Sequence, residues 1–399
     1  MKFQWSLGLM ILVGCGSSTP QTTNTAPVVV ATPPAKSGPD EPREPSEPLV
    51  RAKPRLQVVI SDENVCLRVE ASLRCWGRSN GATAPILANV APIAGLGEVT
   101  EVAVGSRHVC ALNQAGQVYC WGDNASGQLG AGKSELRVDT PVRVEGIEGA
   151  KAITCGTMHS CALLGDGRVT CWGWNGLGQT GSDSEYTTAA RELVVPEIVP
   201  GISEATSVVA GRAHSCAKMK TGTWCWGESQ LKSQQDTRGH YHNQPARVED
   251  LADVEQLVAK DETSCAVFQD KHVGCWGSGA FSVMPSRPLR AESPLPVILP
   301  PARSIAVSQY HGCAILQNGR VSCFGWNNHG ELGREKQSDY QAHESDIVQG
   351  LPAQVDSISV GAATSCAIVR GNELWCWGIP PHMPWVHDAG SGVPARVPL

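Results

Sequence analysis

The sequence predicts an all-β fold built from seven copies of one hairpin, and three features carry that prediction. Fourteen of the 16 cysteines fall into seven close pairs: Cys66 with Cys75, Cys110 with Cys120, Cys161 with Cys171, Cys216 with Cys225, Cys265 with Cys275, Cys313 with Cys323 and Cys366 with Cys376. Each pair brackets a hairpin pattern, clearest in His159-Ser160-Cys161-Ala162-Leu163-Leu164-Gly165-Asp166-Gly167-Arg168-Val169-Thr170-Cys171-Trp172-Gly173, where two short apolar runs flank a Gly-Asp-Gly turn. Successive pairs lie roughly 44–55 residues apart, close to the repeat of about 40–50 residues typical of propeller blades.

Ahead of the repeats, Lys2 precedes a mostly apolar run from Phe3 to Val13. It is too short to span a bilayer but suits the core of a signal peptide. The run ends in Leu12-Val13-Gly14-Cys15, which resembles the lipobox of bacterial lipoproteins. That resemblance implies a signal peptide over residues 1–14, cleavage before Cys15 and acylation of that cysteine. Gly16 rather than Asp follows it, which by resemblance to Gram-negative sorting implies export to the outer membrane. Residues 15–54 are rich in Pro, Thr, Ser and Ala, with the mixed-charge stretch Asp40-Glu41-Pro42-Arg43-Glu44-Pro45. Such a segment cannot bury enough apolar surface to fold and reads as a tether reaching on the order of 35 Å. Residues 55–399 hold the repeats.

The hairpin arithmetic predicts cross-strand disulfides. Centring Cys110–Cys120 leaves the three-residue loop Gln114-Ala115-Gly116, with Gly116 where a left-handed residue is wanted. Centring Cys66–Cys75 leaves the two-residue loop Glu70-Ala71. Both registers set the two cysteines directly opposite each other. Zinc is the rival reading, but it takes four ligands and usually closely spaced cysteine knuckles. Paired cysteines in this number point to an oxidising compartment. Cys155 has no mate by spacing; Ile60, Val104, Ala210, Ala259, Val307 and Val360 stand in its place elsewhere, so it reads as a buried free thiol.

The second copy is the fullest, from Gly105-Ser106-Arg107-His108 to Cys120-Trp121-Gly122-Asp123-Asn124-Ala125-Ser126-Gly127-Gln128-Leu129-Gly130. The third and sixth copies keep His159 and His311, Asn175 and Asn327, and the loops Gly178-Gln179-Thr180-Gly181 and Gly330-Glu331-Leu332-Gly333. The first, fourth, fifth and seventh lack that loop. These motifs resemble the regulator of chromosome condensation repeat family, over roughly residues 55–399. The resemblance implies a seven-bladed β-propeller. Pro141-Val142-Arg143-Val144, Pro245-Ala246-Arg247-Val248 and Pro394-Ala395-Arg396-Val397 read as edge strands, since proline cannot donate into a ladder. The last of these is expected near the first blade, closing the ring.

The recurring Trp76, Trp121, Trp172, Trp226, Trp276 and Trp377 read as packing between blades. His108, His159, His214 and His311 share one repeat position with Asn64, Thr263 and Thr364. A polar side chain bonding a strand-end backbone group would explain all seven, and no metal or cofactor is expected. Asp123 reads as a turn former. What the repeat does not require lies in the loops: Trp174 and Trp326 after Trp-Gly and Phe-Gly, Tyr186, His240-Tyr241-His242, and Trp385. Aromatics on loops over a rigid frame are the candidate partner surface.

The net charge of −6 carries no basic footprint for nucleic acid. Neither a nucleophile elbow nor a His-Glu-x-x-His motif is present. The expectation is a non-enzymatic, monomeric scaffold that meets the membrane only through its lipid and binds an envelope or extracellular protein. Two alternatives stay open. One is an inhibitor of an extracytoplasmic enzyme, implied by resemblance to the propeller-type β-lactamase inhibitor protein; the other is an envelope enzyme with a loop-built site.

Overall fold

A computed structural model describes residues 56–77, 91–132, 135–182, 192–228, 243–278, 291–335, 343–379 and 392–399, all within the unit Lys53–Leu399. They form seven antiparallel sheets in chain order, six of four strands and one, the first, of three. The protein is therefore an all-β, seven-bladed propeller. Among the described residues no helix is long and apolar enough to cross a membrane.

Each blade begins at the axis. The first strands are Leu56–Ile60, Val99–Val104, Ala150–Cys155, Ala205–Ala210, Val254–Lys260, Ala302–Val307 and Val355–Val360. Residues from six of them line a central cavity of about 320 Å³. The second and third strands form the hairpin read from sequence, and in every blade the two cysteines stand opposite each other in the ladder. Cys66 faces Cys75, Cys110 faces Cys120, Cys161 faces Cys171 and Cys216 faces Cys225. In the last three blades Cys265 faces Cys275, Cys313 faces Cys323 and Cys366 faces Cys376. All seven pairs are disulfides with Cα atoms 4.0–4.1 Å apart, so the sequence pairing holds throughout and no bridge joins two blades. The turns follow the arithmetic: Gly116 has φ +74°, and Val69 pairs with Ser72 around Glu70-Ala71.

The glycine of Trp-Gly is a geometric requirement. Gly122 has φ +107°, and a Cβ there would come within 2.4 Å of the Arg107 carbonyl oxygen. The ladder to the outer strand shifts register at this point in four blades, between Cys120 and Gly122 in the second. The bulge turns the third strand outward and releases the following residue onto the rim.

Blades cohere through their faces. Trp172 packs with Leu112, Leu129 and Ile147 of the blade before it, and Trp226 with Leu163 and Val199 of its own predecessor. Burying an indole removes about 150–250 Å² from water, or about 4–6 kcal/mol at 25 cal/mol per Å². The six tryptophans are 0–1 % exposed.

The last strand lies beside the first blade, as the sequence suggests, and does so as the outer strand of blade 7. Ala395–Val397 pairs with the third strand of blade 7, Leu374 opposite Val397, and joins no ladder of blade 1. It reaches blade 1 only by side-chain packing, with Val397 in a cluster holding Leu56, Val58, Leu67 and Trp76. Ile60 N–H also donates to Ser359 Oγ at 3.0 Å. Among the described residues the ring thus closes by packing and a side-chain bond, without exchange of a strand.

Candidate functional site: the rim of the channel mouth

One face of the ring gathers the loops that join first to second strands. The third strand returns to the same face, and the residue after its Trp-Gly or Phe-Gly donates its N–H to that loop. Asp123 bonds the Arg107 carbonyl at 2.9 Å, Trp174 that of Met158 at 2.9 Å, and Glu228 that of Ala213 at 2.8 Å. Trp326 bonds Tyr310 at 2.9 Å and Ile379 bonds Ala363 at 2.8 Å. The backbone therefore places Trp174 and Trp326 on one rim, in blades 3 and 6 of seven, on nearly opposite sides of the channel.

Both indoles are half-buried. Trp326 lies against Tyr310, ring centroids 5.1 Å apart and planes tilted 31°. Trp174 lies over Gly176, where a Cβ would approach the indole to 2.7 Å. Elsewhere the same rim position carries other chemistry. Asp123 bonds Arg137 at 3.0 Å and faces Arg107 at 3.7 Å, so it is an ion-pair hub and more than a turn former. Ser278 donates to Glu262, which also pairs with Arg212. Ile379 is 45 % exposed. Sequence reasoning found Trp174 and Trp326 but missed Tyr310, Met158 and Ile379. Their signal is positional: each occupies the residue just before the repeat's His position, or the one after Trp-Gly. Tyr186, His240, Tyr241, His242, Trp385 and Cys15 lie outside the described residues.

At the centre of the rim, Lys260 reaches from blade 5 across the mouth to blade 2, and its Nζ donates to Val104 O at 3.0 Å. Asp62 stands beside it. Burial and the Asp261 charge raise its carboxyl pKa, while Lys260 opposes them. Thr157 Oγ1 donates to Asp261 at 3.4 Å. Carboxylates and an ammonium thus crowd the mouth.

The four histidines belong to the interior and not to that cluster. His108, His159, His214 and His311 bring Nε2 within 2.8, 2.9, 2.8 and 2.7 Å of Ser160, Ser215, Ser264 and Ser365, each in the next blade. Burial first of all lowers their pKa values to about 3, 3, 4 and 3, so the rings are neutral. This corrects the backbone-bonding expectation for the histidines. It applies to Asn64, whose Nδ2 donates to Ser106 O at 3.2 Å, and to Thr364, which donates to Ile379 O, but not to Thr263, whose buried Oγ1 has no partner among the described residues. The sulfurs of Cys110 and Cys155 come within 4.8 Å of the His108 ring, but Cys110 is committed to its disulfide. Cys155 is the free cysteine among the described residues, and burial pushes its thiol up to about 12.

Residues 115–163 and 166–217 match the Regulator of chromosome condensation (RCC1) repeat. Residues 99–128, 150–179 and 302–331 match a second profile of that description. The Ultraviolet-B receptor UVR8 of Arabidopsis thaliana is 25 % identical over 287 residues, 69 % of this chain and 61 % of UVR8. The chain thus spans about three-fifths of that relative's length. Among solved structures, yeast RCC1 (Prp20) bound to Kap60 superposes with TM-score 0.67 at 18 % identity, covering 92 % of this chain and 91 % of the other. Prp20p of Saccharomyces cerevisiae, described with its binding properties to Gsp1p and histones, gives 0.65 at 19 % identity, covering 88 % and 90 %. At these identities the likeness shows the fold.

Proposed function

We propose that this RCC1-repeat propeller is a non-enzymatic protein-binding module, tethered to the cell envelope by a lipid on Cys15, which engages a partner with the rim around the channel mouth. The observation that carries the reading is the rim itself, where a rigid, disulfide-pinned frame presents Trp174 and the Tyr310–Trp326 pair half-exposed. Aromatic anchors held by rigid backbone lose little conformational entropy on binding, which is why they dominate interface energetics. Protein partners are also what the related propellers are described with: Kap60 for yeast RCC1, and Gsp1p and histones for Prp20p. An enzyme reading would start from Asp62 and Asp261. Those carboxylates face Lys260 and Thr157, and we read them as the electrostatic surround of the lysine that crosses the mouth.

The test is capture from intact envelopes with a crosslinker on the full chain, wild type against Trp174→Asp with Trp326→Asp. Asp already serves this rim position in blade 2, so the double variant should fold and melt within a few degrees of wild type. Capture of the partner should fall by tenfold or more, each anchor contributing about 2 kcal/mol. Undiminished capture would place the partner surface elsewhere. The anchor is tested separately: Cys15→Ser should move the protein from membranes to the soluble fraction, and intact mass showing unmodified Cys15 in the mature wild type would rule the lipid out.

A further inference from the structure

Independently of that reading, the inner strands hold a position, polar in six of the seven blades, that the repeat does not explain. One residue past the bulge of each first strand, or at its counterpart in blade 1, stand Gln57, Glu101, Ala152, Ser207, Gln256, Ser304 and Ser357. Gln256 of blade 5 applies both ends of its amide to one residue of blade 6. Ile305 N–H donates to Oε1 at 2.9 Å, and Nε2 donates to Ile305 O at 3.2 Å. This two-bond clamp joins inner strands of separate sheets.

Glu101 is the same position in blade 2. It follows the same bulge, opposite Leu112 where Gln256 is opposite Val267. Its neighbour in blade 3 is Ile153, which faces Ala162 as Ile305 faces Ala314. The Glu101 carboxyl accepts a hydrogen bond from the Ile153 backbone, the first half of the clamp. The second half needs a donor aimed at the Ile153 carbonyl. A carboxylate has none and would set oxygen against oxygen, whereas a carboxylic acid supplies an O–H where glutamine supplies N–H. We propose that Glu101 is held as the neutral acid, clamping blade 2 to blade 3 as Gln256 clamps blade 5 to blade 6, and that its ionisation makes this joint of the ring pH-responsive.

The electrostatics agree. Burial raises the Glu101 carboxyl to about 7, opposed only by the Ile153 bond, and no charged side chain contributes. The titratable or charged groups on the strands packed against it are Arg68, His108, Lys151 and Cys155. Arg68 is engaged by Gln57 and the Glu70 carbonyl, and Lys151 by the Gly165 carbonyl. His108 is neutral down to about 3 and Cys155 up to about 12, so neither changes charge near neutrality. The folded-state value lies above the ordinary one. The stability this proton contributes is therefore full below the usual carboxylate range and is lost as pH rises through about 7.

Thermal melts of the full mature chain at about pH 5 and about pH 8 test this, bracketing the titration. Glu101→Gln should match wild type at the lower pH and melt a few degrees higher at the upper one. Gln256→Glu should transfer the behaviour, melting near wild type at the lower pH and below it at the upper. Infrared spectra near neutral pH should show a protonated-carboxyl C=O band that Glu101→Gln lacks. If Glu101→Gln shifts the melt equally at both pH values, or removes no such band, the clamp is not protonated and the inference fails; these readouts stand even if Gln256→Glu does not fold.

Discussion

Most joints between blades fall into two kinds, with the joint from 4 to 5 keeping His214 and Ser264 but no loop carbonyl, and the difference explains a scatter of residues that no single blade explains. At the joints from blade 2 to 3, 3 to 4 and 6 to 7, one backbone carbonyl organises three side chains. Gln128 O accepts from Trp172 Nε1 at 2.8 Å and Ser160 Oγ at 3.1 Å, and that serine accepts from His108. Gln179 O serves Trp226 and Ser215 in the same way, and Glu331 O serves Trp377 and Ser365. At the joints from 1 to 2 and 5 to 6 the loop carbonyl is missing from the sequence, and so are the serine and the histidine. Val109 and Gly312 replace the serine, Asn64 and Thr263 the histidine. Trp121 and Trp276, which follow blades without the loop, leave Nε1 unpaired among the described residues. Phe324, which also follows such a blade, has no N–H to satisfy. A donor survives best where the preceding blade supplies its acceptor.

The largest way to break the full joint is to unmake its loop. Asn327 Oδ1 accepts the Leu332 N–H at 3.1 Å while Nδ2 donates to Glu335 O at 2.7 Å, and the side chain is buried. Asn327→Ala should cost about 2–4 kcal/mol in denaturant unfolding, with the damage concentrated, by hydrogen exchange, at the blade 6–7 joint. A smaller effect compares the joints directly. Trp377→Phe loses a buried N–H···O bond and should destabilise by about 1 kcal/mol more than Trp276→Phe, where the same exchange removes an unpaired donor. Equal losses would mean that the carbonyl does not distinguish the joints.

The smallest expected effect is in acid. His214 is neutral when folded, with its pKa lowered to about 4, so the unfolded chain binds the proton first. Stability from this residue is full above its ordinary value of 6.5 and is lost as pH falls towards about 4. His214→Thr, the residue blade 5 uses, should flatten the melt-against-pH curve over that interval. An unchanged slope would show that the histidine stays protonated inside. The direction is opposite to that at Glu101, so the two variants separate the two titrations.

Much of the fold was legible because it is local. Cysteine spacing gives strand register, Trp-Gly gives the bulge, and proline marks outer strands, all within one repeat of the chain. The joints were not legible in the same way. Reading down each column of the repeat makes His, Asn and Thr look like interchangeable caps. Reading diagonally, from His108 to Ser160, His159 to Ser215, His214 to Ser264 and His311 to Ser365, shows that serine appears where the previous blade has histidine. The aromatic rim was half legible. Trp174 and Trp326 stood out as residues the core does not need, but Tyr310 became a partner only when the N–H of Trp326 was seen to tie the two loops together.

The hairpin disulfides carry a consequence for biogenesis. Each cysteine's mate lies nine or ten positions along the chain. A polypeptide oxidised as it emerges, amino end first, can close each bridge before the next pair arrives, so order of arrival replaces a search among fourteen thiols. Among the described residues Cys155 is the exception, entering between the second and third bridges with no mate in its own hairpin. Its burial in the inner strand of blade 3 shelters it only once that blade has folded, which makes the interval before then the vulnerable moment for mispairing.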